Sequence, residues 1–246
     1  VESTSAQGTH YAFKHALIQD VAYDSLLGGP RRELHARIAT ALSAGTAGVA
    51  NPNPEVIASH YAEAGMPKEA IFHWGRASDH ATARSANIEA ASHLSRAITM
   101  ATQLDDRHEA AETELALRAR LVPPLLAAYG YASDDVARNT ARATQLFDQT
   151  RSAAHKIVIL RAECQWAIVR ARYGRAMEIA VEMNRLARDA EDSGVALDAL
   201  LLRGLVEMYA GQLRTARMTL ERCISLYDPD RHAAHALRQG VDIQSA

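Results

Sequence analysis

The chain has 246 residues, 48% of them apolar and only 5% aromatic, with alanine prominent. That composition suits helices packed closely through small side chains and argues against a sheet rich in β-branched residues. Its 27 basic and 29 acidic residues are interspersed and leave a formal net charge of −2, which argues against a global positive footprint for nucleic acid or an anionic membrane.

From the N terminus, Val1 to His10 is polar and lacks the basic and apolar regions of a signal peptide, while no apolar run approaches about 18 residues. The expected setting is therefore the cytoplasm, with no membrane span. The start at Val1, without an initiator Met, and the stop at Ala246 read as a piece of a larger protein. No segment after residue 13 alternates with period two over a strand's length; apolar residues recur instead with three-four spacing, and Pro and Gly mark the joints. Helices are expected near 14–27, 31–45, 54–64, 67–86, 88–103, 107–129, 134–150, 154–171, 174–191, 195–210, 213–227 and 229–239. The stretch Ala44 to Pro54 reads as a linker, and Asn53-Pro54-Glu55 as a helix start with Asn as cap, Pro at the first helical position and Glu at the dipole. Gly65 ends that helix. Val122-Pro123-Pro124 lies inside an otherwise helical run, where a kink or break is expected. Cys164 and Cys223 sit in apolar helical patterns and read as buried free thiols.

Successive helices of similar length invite a test against the 34-residue tetratricopeptide unit, which places a bulky residue near position 4, small residues at 8 and 20 and an apolar one at 24. A unit begun at Ile71 sets Trp74, Ser78, Ala90 and Leu94 at those positions, with Ala81 at 11 and Ala97 at 27. One begun at Leu197 sets Leu200, Gly204, Ala216 and Leu220 there and Gly211 at the turn, and a weaker one begun at Ile157 sets Leu160, Cys164, Ala176 and Ala180. Small residues are needed at 8 and 20 because the two helices of a hairpin cross there with their backbones close. Glu207 departs from the pattern at position 11, where a large apolar residue is usual. The expected fold class is all-α: a tetratricopeptide-like superhelix of helical hairpins, an α-solenoid. In tetratricopeptide proteins positions 5, 9 and 12 of the first helix line the groove, which points to Arg161, Gln165 and Ile168 and to the apolar set Leu201, Leu205 and Met208. The apolar set is expected to be covered by the terminal helix or by a second copy of the chain.

The N-terminal run Tyr11-Ala-Phe-Lys-His-Ala-Leu-Ile-Gln-Asp-Val-Ala-Tyr-Asp-Ser-Leu-Leu27, followed by Arg31-Arg-Glu-Leu-His-Ala-Arg-Ile-Ala39, resembles bacterial signalling proteins. In these, a class III adenylate or guanylate cyclase domain precedes an AAA-like signal-transduction ATPase and a tetratricopeptide region. The resemblance continues through Ser59-His-Tyr-Ala-Glu-Ala-Gly65, Ala128-Ala-Tyr-Gly-Tyr-Ala132 and Tyr227-Asp-Pro-Asp-Arg-His232. It is shared with large ATPase-type transcription regulators that carry a helix-turn-helix module instead of a cyclase. It implies that residues 1–45 are the tail of a winged-helix-like region, with Tyr11 to Phe13 as a short strand. Residues 52–246 would be repeats truncated at the C terminus, and the cyclase aspartates and phosphate loop would lie upstream. It further implies that His15, in Phe13-Lys14-His15-Ala16-Leu17, reads the β-phosphate of ADP in the full-length protein, although Ala16 stands where many members have Asp.

No Lys follows a Gly, so a phosphate-cradling loop is absent; there is no Gly-x-Ser-x-Gly elbow and no close Cys pair for zinc. None of the eleven His residues has Glu three positions before it, as helical di-iron sites require. His232 and His235 lie one turn apart, and His73 and His80 two turns apart on the helix bearing Trp74; each pair reads as packing or surface rather than ligation. The expectation is a non-catalytic scaffold with no cofactor or metal of its own. Its partner would be a protein, a peptide or another domain of the same polypeptide, and not nucleic acid or membrane.

Overall fold

A computed structural model describes residues 2–5, 8–11, 21, 23–45, 52–189 and 193–229. Strands β1 (Glu2–Ser5) and β2 (Gly8–Tyr11) pair antiparallel, Glu2 opposite Tyr11 and Ser5 opposite Gly8. The expected strand at Tyr11 to Phe13 thus overlaps β2 at Tyr11, with the rest outside the described residues. Ten α-helices follow among the described residues: α1 (Gly28–Ser43), α2 (Pro54–Glu63), α3 (Pro67–Ala83), α4 (Asn87–Ala101), α5 (Arg107–Tyr129), α6 (Asp134–Thr144), α7 (Ala153–Val169), α8 (Tyr173–Asp189), α9 (Ser193–Tyr209) and α10 (Leu213–Leu226). Apart from the short N-terminal ribbon, the fold class is all-α, with consecutive helices packed as hairpins in a tetratricopeptide-like solenoid. None of these helices is long and apolar enough to cross a membrane.

The chain forms two compact units, 1–105 and 106–246. In the first, α1 and α2 pack on each other, α2 on α3 and α3 on α4. In the second unit each helix packs on its successor, and α5 also meets α7 and α7 meets α9. Contacts between alternate helices are what stack one hairpin on the next.

Helix starts follow local chemistry. The Asp106 side chain accepts from the backbone N–H groups of His108 at 2.7 Å and Glu109 at 3.1 Å, and the Ser133 hydroxyl accepts from Asp135 N–H at 3.0 Å. At α2, Pro54 holds the first position and Glu55 the first turn, but Asn53 makes no side-chain cap bond. Pro123 and Pro124 lie within α5, which continues unbroken to Tyr129. Of the expected kink or break, the break does not occur. Pro124 and its neighbours Leu121, Val122 and Leu125 are buried, so tertiary packing outweighs the hydrogen bonds the two prolines forgo. The expected helix over 134–150 is instead α6 and a separate 3₁₀ turn at Phe147–Gln149, whose exit is held by Lys156 Nζ donating to the carbonyls of Phe147 at 2.6 Å and Thr150 at 2.7 Å.

Candidate partner-binding surface

One turn recurs four times among the described hairpins, twice in each unit. After α2, α3, α7 and α9 the chain passes through one left-handed residue: Gly65 (φ 72°), Ser85 (58°), Ala171 (55°) and Gly211 (78°). The next N–H reaches back to a carbonyl five residues earlier each time: Met66 to Tyr61 at 3.0 Å, Ala86 to Ala81 at 2.9 Å, Arg172 to Ala167 at 2.8 Å and Gln212 to Glu207 at 2.8 Å. This is the Schellman closure, and each second helix starts on the residue after it. Ser85, Ala171 and Gly211 all fall at position 15 of the three units read from the sequence. Ala171 and Gly211 lie 40 residues apart rather than 34, because α8 and α9, which separate them, run to 17 residues each.

The crossing positions are packed as their size requires. Trp74, Ser78, Ala81, Ala90, Leu94 and Ala97 are all buried. Cys164 Sγ, at position 8, donates to the carbonyl of Ala176, at position 20, at 3.5 Å. Gly204 leaves room for the Leu220 side chain: a β-carbon there would stand 2.5 Å from Leu220 Cδ2. Glu207, the departure at position 11, is 1% exposed and satisfied from both sides, Arg203 Nε donating to Oε1 at 2.9 Å and the Thr219 hydroxyl to Oε2 at 2.7 Å. It is a buried link between α9 and α10.

The six groove positions divide. Arg161 is buried, with its guanidinium 3.5 Å from the Asp198 carboxylate of α9. Ile168 belongs to the core shared by α7, α8 and α9, and Leu205 packs against that core. Leu201 packs against Leu197 and Cys223, as do Leu200 and Tyr227. Gln165 is half-buried, and Met208 alone of the six is exposed. Leu201 thus meets α10, and Leu205 the core of α7, α8 and α9; the terminal helix expected near 229–239 falls beyond 229, outside the described residues. So do His15, His232 and His235.

Sequence reasoning missed the polar couplings between helices. Glu114 of α5 is buried and accepts from Arg118 Nε at 2.8 Å and from Arg142 of α6, Nε at 3.0 Å and Nη2 at 2.9 Å. Burial pushes its carboxyl up, but the hydrogen bonds from Arg142 and Arg118 outweigh that and hold it below its ordinary value. Glu163 of α7 accepts from Arg175 of α8 at 2.8 Å and from the Thr144 hydroxyl of α6 at 3.4 Å. The four-residue spacing of Glu114 and Arg118 is visible in a sequence; the partners 28 and 12 residues away are not. Both thiols are buried and free, and burial, with Glu163 nearby, pushes Cys164 up to about 12. Among the described residues, no group of three or more His, Cys, Asp or Glu side chains is placed to hold a metal.

No protein-family model matches the chain, and no solved structure matches it. It is similar to an uncharacterized protein of Rhizobium meliloti (strain 1021), 24% identical over 223 residues that cover 91% of this chain. The chain spans 22% of that relative's length.

Proposed function

We propose that the chain is a non-catalytic scaffold and sensor region that makes protein–protein or intramolecular regulatory contacts within a larger bacterial signalling protein. The observation that carries this is the set of register-matched helical hairpins at Ile71, Ile157 and Leu197, an architecture whose use is to present a stacked surface to a polypeptide. Its similarity to a stretch of a much longer protein supports the larger setting. On the resemblance of its N-terminal run, that setting is a nucleotide cyclase with a signal-transduction ATPase, in which His15 senses ADP. The test is to add the 246-residue chain in trans to the ATPase portion of the longer polypeptide. Saturable binding and a change in nucleotide turnover are expected, with no turnover by the chain alone. Turnover by the chain itself, or no association, contradicts the reading. His15→Ala in the full protein should weaken ADP retention and raise basal output.

The second reading, favoured by the same N-terminal run, is the sensor region of a large ATPase-type transcription regulator. A helix-turn-helix module in the longer polypeptide, and DNA binding that depends on it, would select this parent. In either case the chain alone should give no electrophoretic shift at low salt.

A further inference from the structure

We propose that the junction of α1 with α2 and α3 is a proton-sensitive latch: His35 and His60 hold α1 in place while one proton is shared between them, and acidification frees α1. Of the 16 residues of α1, only His35 and Ala39 are buried, so histidine contacts form a large part of its grip. His35 Nδ1 lies 2.8 Å from His60 Nδ1, and its Nε2 lies 2.9 Å from the Tyr23 hydroxyl. At the other end of α1, the Ser43 hydroxyl lies 3.2 Å from His73 Nε2 and accepts from Tyr61 Oη at 3.4 Å, while Tyr61 stacks on His73.

A hydrogen bond between two Nδ1 atoms needs one nitrogen bearing a proton and one without. An imidazolium donates from both of its nitrogens. With both rings charged, two N–H groups of like charge face each other and the bond is lost. His73 is constrained in a second way: its Nδ1 is buried with no hydrogen-bond partner among the described residues, so a proton there is an unmet buried donor.

The surroundings add little to offset this. Tyr23 lies under Arg31, whose guanidinium is 4.3 Å from the ring centroid and 3.7 Å from Asp24. On α2, burial and then His35 lower His60 from its ordinary value, with Glu63 opposing; on α3, burial and then Arg76 lower His73. A His held low when folded takes up protons more readily once freed. Its contribution is therefore present above the ordinary value of 6.5 and is lost as pH falls through the lower folded value.

The test is hydrogen exchange of the 246-residue chain at about pH 7.5 and about pH 5, corrected for intrinsic exchange rates, with peptides of α9 as the internal reference. Opening of α1 should rise by about fivefold or more at the lower pH, the worth of one hydrogen bond, with α9 unchanged. His60→Asn keeps a hydrogen-bonding amide near the Nδ1 position but does not titrate, and it should abolish most of the rise. Equal α1 opening at both pH values, or an undiminished rise in H60N, overturns the latch. Should H60N fail to fold, an NMR titration of the unsubstituted chain decides. His60 should titrate below 6.5 in step with the α1 amides; titration at or above 6.5, or α1 amides that do not move with it, overturns the proposal.

Discussion

A methyl group placed on Gly204 would stand 2.5 Å from Leu220 Cδ2 and 2.6 Å from its Cγ, so Leu220 must move before any larger residue fits. Gly204→Ala should cost about 1–3 kcal/mol of stability, and Ala90→Leu and Ala216→Leu a similar amount each, because both alanines are buried where helices cross. Thermal melts check this, and unchanged melting in all three would show the register to be misplaced. These positions were legible from spacing alone, since closeness of backbones demands a small residue whatever surrounds it. The thiols belong to the same scale. Cys164 is buried and pushed up to about 12, and Cys223 is buried and also raised, so both should resist a disulfide reagent at neutral pH and react only on unfolding. Rapid modification of the folded chain would contradict the packing of α7 and α10.

Between helices, two of the four matching turns place a non-glycine residue in the left-handed region, Ser85 at φ 58° and Ala171 at φ 55°. The sequence spacing carried helices through both positions because neither residue advertises a stop; the backbone closure to Ala81 and Ala167 supplies it. A left-handed alanine costs about 1 kcal/mol that glycine does not. Ala171→Gly should therefore raise stability by about 0.5–1 kcal/mol, measured by urea unfolding, whereas the same change at Ala176, in the interior of α8, should lower it. Gly65 and Gly211 were readable as stops for the converse reason: glycine pays no steric penalty there.

Within the second unit as a whole, charge joins neighbouring helices through residues well separated in sequence, Glu114 with Arg142 and Glu163 with Arg175. Glu114→Gln should cost about 2–3 kcal/mol, less than a fully enclosed pair, because the Arg142 side chain remains 46% exposed. With its carboxyl held low in the fold, the contribution of Glu114 is complete above the ordinary value of 4.5 and is lost as pH falls through the folded value. Acid unfolding of the unsubstituted chain should thus begin below about pH 4.5, and E114Q should flatten that part of the profile. A profile identical in both proteins would show that the pair contributes nothing.

By itself the sequence determined the class, the positions of most helices and the small residues of three hairpins, because three-four periodicity and the steric demand of a helix crossing are local properties of the chain. Tertiary structure decided the rest. It carried α5 through Pro123 and Pro124 on the strength of buried neighbours, and it turned Glu207 from an anomaly into a link with Arg203 and Thr219. It also took Arg161 out of the expected groove and set it against Asp198, and it brought His35 to His60 across 25 residues. Each of these depends on packing or a partner that tertiary structure supplies, and a desolvated charge is stable only where its partner stands.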